Sequence, residues 1–238
     1  MNRWSMISGV LVLLAAASST GWSQSGKPVA DKKKSMNVGV FVYEGMEILD
    51  FGGPAEVFAA AGNFSDKAEF NVYTVGSTKE SILSQGFIRI TPEFSIADCP
   101  KPDIIVFPGG NSANVTQDEA TMKWLAAESP DLKIAMSVCT GAFVLAKAGL
   151  LDEKKATTWY GAIGRLREAS PKTTVLEKTR FVDNGNVITT AGVSAGIDGA
   201  LHVVATLLGD EAAQNTARYM EYDKWKPNRG LVVSRKGK

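Results

Sequence analysis

The segment Ser137-Val138-Cys139-Thr140-Gly141 sets a sulfur nucleophile between small residues at the end of an apolar run over 132–138. Small flanks let the chain turn sharply from strand to helix, so the middle side chain stands above a sheet. The N–H groups opening the next helix would favour a thiolate there. Asp50 follows another apolar run, 37–43, and precedes Gly52-Gly53-Pro54. A carboxyl beside a thiol is useful when it keeps a proton, because two anions in contact repel. Partial burial would raise its pKa and fit it for acid–base work. Gly109 and Gly110 end a third apolar run, 103–107, and could bring backbone N–H groups to a ligand. With the Thr140 N–H they would stabilise a developing negative charge. The Thr140 hydroxyl is either a further donor or a cap for its helix. Gly192 and Val193, in Ala191-Gly192-Val193-Ser194-Ala195-Gly196, complete the substrate-binding candidates.

Other reactive residue types fit structural roles. His202 is the only histidine and sits in the apolar helical stretch Ala200-Leu201-His202-Val203-Val204, the setting of a hydrogen-bonded core histidine. There is thus no obvious Cys–His dyad of the kind a conventional cysteine protease or amidotransferase uses. One histidine and two distant cysteines do not make a zinc set. Asp198 reads as support for the start of its helix. Cys99 precedes the 103–107 strand, at the edge opposite Cys139. A strand of five or six residues spans about 17–20 Å, and bridged cysteines need Cα atoms within about 7 Å. The two cysteines are therefore expected to stay unpaired, with Cys99 a bystander.

The elements that position these residues alternate between two periods. Strands are expected over 37–43, 70–75, 103–107, 132–138 and 187–190, with a small edge hairpin over 82–91 and a hairpin turn at Asp183-Asn184-Gly185. Helices are expected over 55–61, 117–128, 141–148, 160–168, 195–208 and 211–221, the first opening beside Pro54. Strands alternating with helices imply a mostly parallel sheet covered on both faces. Ligands of such sheets bind beyond the carboxyl ends of the strands. Segments 50–54, 108–111, 137–141 and 191–196 all fall there.

The 238 residues carry 26 Lys plus Arg against 25 Asp plus Glu, a net charge of +1 with no clustered basic face of the kind nucleic acid requires. Arg3, the apolar run 6–17 and the small residues Gly21 and Ser23 form a signal-peptide pattern with cleavage before Gln24. That run is shorter than the ~20 residues of a membrane span. The expectation is a signal peptide over 1–23, a flexible leader over 24–35, one domain over 36–223 and a tail over 224–238. The protein would be exported, to a bacterial periplasm, and free of the membrane once cleaved.

The chain resembles the DJ-1/PfpI superfamily, and within it the isonitrile hydratase branch. The resemblance rests on Leu49-Asp50-Phe51-Gly52-Gly53-Pro54, Pro108-Gly109-Gly110, Val138-Cys139-Thr140-Gly141, Ala156-Thr157-Thr158, Gly192-Val193-Ser194-Ala195-Gly196-Ile197-Asp198 and Glu221-Tyr222. It implies a flavodoxin-like three-layer α/β sandwich with a nucleophile elbow, a homodimer, and no cofactor or metal. Cys139 would be the nucleophile and Asp50 its acid–base partner, acting on a small-molecule substrate, with isonitrile hydration to an N-substituted formamide the leading reaction. A methylglyoxal-handling enzyme and a non-catalytic redox or ligand-binding module are the alternatives. The branch usually carries histidine where Trp159 stands here, a position expected to line the pocket.

Overall fold

The computed structural model describes residues 33–233. The expected signal peptide and most of the leader lie outside these residues, as do residues 234–238. In chain order the strands are β1 (Lys34–Phe41), β2 (Ala68–Gly76), β3 (Ile82–Ser84), β4 (Ile88–Ile90), β5 (Phe94–Ser95), β6 (Ile104–Phe107), β7 (Ile134–Ser137), β8 (Lys155–Ala156), β9 (Thr174–Val175), β10 (Phe181–Asp183), β11 (Val187–Thr190) and β12 (Leu231–Val232). The helices are α1 (Ile48–Ala61), α2 (Ala113–Thr116), α3 (Glu119–Glu128), α4 (Ala142–Lys147), α5 (Ile163–Ala169), α6 (Ala195–Leu208) and α7 (Asp210–Tyr219).

Eight strands form the main sheet in the order β12-β10-β11-β7-β6-β1-β2-β5. Every pairing in it is parallel except β10 with β11, the hairpin that turns at Asn184-Gly185. The β3–β4 hairpin and the β8–β9 pair form separate two-stranded sheets. Each face of the main sheet has its own core. Ile104 and Val106 of β6 pack with Val57 and Phe58 of α1 and with α6 and α7. The alternate residues Ile105 and Phe107 pack with Leu125 of α3 and Val144 and Leu145 of α4. Period-two alternation thus feeds two apolar layers, and each fully buried side chain of this size contributes about 1.5–3 kcal/mol. This is the expected three-layer sandwich.

Among the differences from the sequence expectation, two concern the ends of the domain. The first helix was expected over 55–61, yet α1 begins at Ile48 and carries Pro54 in its interior. Pro54 cannot donate to the carbonyl of Asp50, and Gly52-Gly53 is a poor helix former. Close docking on α6 compensates. A methyl on Gly53 would come 2.9 Å from Ile197 Cγ1, and one on Gly196 would come 3.1 Å from Pro54 Cγ. Asp50 therefore sits on a helical first turn rather than in a loop. At the other end of the chain, Leu231–Val232 pairs in parallel with β10 as an edge strand within the segment read as a tail.

Candidate active site

Strand register brings the candidate segments together. Phe107, Ser137 and Thr189 are paired neighbours on β6, β7 and β11. Two residues beyond each, at the carboxyl edge of the sheet, stand Gly109, Cys139 and Ala191. Val138 N–H donates to the Phe107 carbonyl at 3.0 Å and Cys139 N–H to the Ala191 carbonyl at 3.0 Å. The chain then turns through a short 3-10 segment, Cys139–Gly141, before α4. Cys139 takes a positive φ of 56°, a strained conformation for a residue with a Cβ and the signature of a nucleophile elbow. Gly141 must be glycine here, since any Cβ would collide with the Phe107 carbonyl. Thr158, just beyond β8, donates its hydroxyl to the Cys139 carbonyl at 2.7 Å and clamps the turn.

Asp50 faces this elbow from α1 and is fully buried. Its Oδ2 accepts the Gly109 N–H at 2.8 Å. Gly109 lies between the acid and the thiol: a methyl there would fall 2.7 Å from Asp50 Oδ2 and 2.7 Å from Cys139 Cβ. Tyr43, at the end of the β1 segment, reaches across to the Pro108 carbonyl at 2.9 Å and the Gly109 carbonyl at 2.7 Å. Glu47 N–H holds the same Gly109 carbonyl at 2.9 Å. The glycine is thus fixed on both sides.

Burial dominates the electrostatics. It pushes Asp50 up to about 7, with the charge of Glu47 adding to it and the Gly109 N–H, Cys139 thiol and Val193 N–H opposing it. Burial also pushes the Cys139 thiol up to about 12, with the Asp50 charge next in importance and the Thr140 N–H opposing both. Burial thus reverses the sequence expectation of a thiol lowered by its helix start, and the Asp50 charge adds to the reversal. Two acids that repel one another titrate as a pair and hold one proton between them over a wide pH range.

The sequence-predicted donors are already engaged. Gly109 N–H serves Asp50. Gly110 N–H donates to Thr140 Oγ1 at 2.9 Å, and the Thr140 hydroxyl returns a bond to the Gly110 carbonyl at 3.0 Å. These residues position the acid and the elbow rather than offering free donors to a ligand. The Thr140 N–H, on the thiol side, is the donor that favours a negative sulfur.

The remaining candidates divide. Val193, at φ 53° and partly exposed, turns its N–H toward Asp50. Gly192 makes room for Trp159, whose Cδ1 would lie 2.6 Å from a methyl there. Trp159 is half-buried against the core layer that contains Cys139 and Ile197. Cys99 and Cys139 are both free thiols, and Cys99 lies in the opposite core layer from Cys139. His202 is bonded to Asp183 at 2.8 Å and stacked on Phe181 with ring centroids 4.5 Å apart, as a core histidine should be. Asp198 differs from expectation: although it lies in the first turn of α6, its Oδ2 accepts from Arg180 Nε at 2.5 Å and Tyr222 at 3.2 Å.

The sequence model of the DJ-1/PfpI family matches residues 36–206, a span containing every residue of this arrangement except Tyr222. The chain belongs to the DJ-1/PfpI family. Among similar family proteins is the isonitrile hydratase of Pseudomonas putida, 30% identical over 189 residues that cover 79% of each chain. The HTH-type transcriptional regulator GbdR of Pseudomonas aeruginosa is 22% identical over 194 residues, 81% of this chain and 52% of the regulator. Among solved structures, a ThiJ/PfpI family protein from Pseudomonas syringae superposes with a TM-score of 0.72 at 27% identity, covering 89% of this chain and 84% of that one. Drosophila melanogaster DJ-1beta superposes at a TM-score of 0.69 and 23% identity, over 79% of this chain and 98% of that one.

Within this DJ-1/PfpI chain the sequence reading missed three positioning residues. Tyr43 carries a local signal, a polar-tipped residue closing an apolar strand. Thr158 and Arg180 carry none, because their partners lie 19 and 18 residues away.

Proposed function

We propose that this chain is a cofactor-independent cysteine enzyme acting on a small electrophilic molecule, with isonitrile hydration as the reaction its site supports best. The observation that carries the reading is the buried pair of Asp50 and Cys139 on either side of Gly109. In its one-proton state the pair keeps the proton on the Cys139 sulfur and a carboxylate at Asp50, which would take that proton as general base and free the thiolate. The Cys139 thiolate would attack the isonitrile carbon and form a C–S bond. The proton on Asp50 would pass to that same carbon and give a thioimidate. Asp50, now a carboxylate, would take a proton from water as its oxygen adds to the carbon. Return of that proton to nitrogen, followed by collapse with cleavage of the C–S bond and transfer of the hydroxyl proton to Asp50, releases an N-substituted formamide and restores the thiolate and the Asp50 acid. Atoms balance as isonitrile plus water, with no redox change.

Isonitrile hydratase similarity supports the reaction class. The test is turnover of a simple alkyl or aryl isonitrile, followed by formamide formation, in the wild-type, Cys139→Ala and Cys99→Ala proteins. Activity lost in the first variant and kept in the second is expected. An active Cys139→Ala protein would remove the proposal. One observation favours the ligand-binding alternative: Cys139 is 7% exposed and lines neither of the cavities beside it. Absence of turnover on isonitriles and on methylglyoxal would turn the reading that way. Export and homodimer formation belong to the same proposal; detection of mature protein beginning at Gln24 in an exported fraction, and solution mass by light scattering, test them.

A further inference from the structure

A cavity of about 670 Å³ has no wall formed by Cys139. It lies behind the elbow, where Thr158 and Ala191 form part of its wall, the two residues that grip the Cys139 carbonyl and N–H. Its size falls in the range of small-molecule sites, roughly 300–1,000 Å³.

Its charge is distinctive. Arg167, Lys178, Arg180 and Arg229 line it against one carboxylate, Glu177. With Asp198 paired to Arg180, four cations meet two carboxylates, an excess of two in a chain whose total charge is +1. Two of the cations are held in place. Arg180 is fixed by Asp198 and by Ser194, whose Oγ accepts from Nη2 at 3.0 Å. Arg167 donates to the Val175 carbonyl at 3.1 Å and pairs with Glu177 at 3.0 Å. Lys178 and Arg229 make no ion pair among the described residues, and Lys178 is held at a strained φ of 52°. Prearranged guanidinium groups, cations without counter-charge and backbone strain at one cavity are the marks of an anion site.

Beside these charges the cavity has an apolar wall. Tyr160 is 83% exposed, its ring packed on Trp159 at 4.9 Å between centroids, and Ile163 lies next to it. We propose that this cavity binds a small organic anion, a carboxylate or phosphate ester with a flat apolar body, by its headgroup at Lys178, Arg180 and Arg229 and its body against Tyr160 and Ile163. The proposal stands apart from the chemistry of Cys139, and its tests read binding rather than turnover.

Calorimetric titration of the wild-type protein with benzoate, phenyl phosphate and benzyl alcohol tests the charge requirement. Saturable binding of benzoate or phenyl phosphate, at least tenfold tighter than benzyl alcohol, is expected, and the tighter of the two anions identifies the headgroup. No binding of either anion, or benzyl alcohol binding as tightly, overturns the proposal. Placement is tested by the Lys178→Gln/Arg229→Gln protein, expected to weaken anion binding tenfold or more. It is tested without any variant by crystals soaked in 4-bromobenzoate, expected to show anomalous bromine signal inside this cavity. An unchanged affinity in a folded double variant, or bromine signal only elsewhere, overturns it.

Discussion

Gly109 donates its backbone N–H to Asp50 Oδ2 at 2.8 Å, and a methyl group on its Cα would lie 2.7 Å from that oxygen and 2.7 Å from Cys139 Cβ. The spacing between acid and thiol is therefore set by a residue with no side chain. Neither neighbour can yield easily, because Asp50 is on a helix docked to α6 and Cys139 is on a clamped turn. Gly109→Ala is expected to force the pair apart. Formamide formation should fall at least 100-fold, as misplacement by about 1 Å can cost that much, while far-ultraviolet circular dichroism stays as in wild type. Retained activity in a folded Gly109→Ala protein would contradict this geometry.

The raised pKa of Asp50 has a consequence for stability. Between the ordinary carboxylate value of 3.8 and the native value of about 7, the unfolded state has lost this proton and the folded state keeps it. The unfolded state thus binds fewer protons, so this group's contribution to stability is full below 3.8 and is lost as pH rises through 7. The loss is at most about 4 kcal/mol. Asp50→Asn removes it. The variant is expected to be more stable than wild type at pH 8 and to show a flatter dependence of unfolding free energy on pH from 4 to 7. Urea titrations at pH 4.5 and 8 decide; an equal pH slope in both proteins would count against the shift.

Thr158 tests the clamp on the elbow. Thr158→Val keeps the shape of the side chain but removes the 2.7 Å hydroxyl bond, leaving the Cys139 carbonyl with the Ala142 N–H as its remaining donor. Loss of one such hydrogen bond costs about 0.5–1.5 kcal/mol, read as a lower urea midpoint. Relaxation of the strained Cys139 φ should also change the rate of Cys139 alkylation. A variant with wild-type midpoint and alkylation rate would show that the clamp does not hold the turn.

The Arg180–Asp198 pair is the corresponding test on the other side of the site. Asp198 is fully buried and its partners are Arg180 and Tyr222. Arg180→Met would leave a buried carboxylate without its cation, at a cost of about 3–5 kcal/mol. The same loss should loosen the loop bearing Ser194 and Val193. The double variant Arg180→Met/Asp198→Leu should recover much of the stability, which separates an unpaired charge from a simple packing defect.

Much of the fold was legible because its signals are local. The strand runs 103–107 and 132–138 and the helix 195–208 announce themselves by apolar period and length, and α6 has the expected bounds. The elbow was legible because small flanks around a cysteine have few other uses. What the sequence hid depends on distant partners. Gly52-Gly53-Pro54 reads as a break, and only docking against Ile197 makes it helical. Strands of two residues, such as β8, β9 and β12, have no period to detect. Asp198 reads as a helix-start carboxylate, yet its role comes from Arg180, which nothing nearby in sequence marks. The glycines at 109 and 110 were recognisable as site residues, but their work, holding Asp50 and Thr140, depends on which direction each N–H points.

The central claim is that Asp50 and Cys139 titrate as one coupled pair. The most direct measurement is the rate of Cys139 alkylation against pH in the Cys99→Ala protein, with and without Asp50→Asn. With Asp50 present, a partial step near pH 7 should appear, where the pair loses its first proton, followed by a further rise toward the about 12 to which the thiol is pushed. In Asp50→Asn the step near 7 should vanish and a single titration should remain between the two. The same single titration in both proteins would contradict the account.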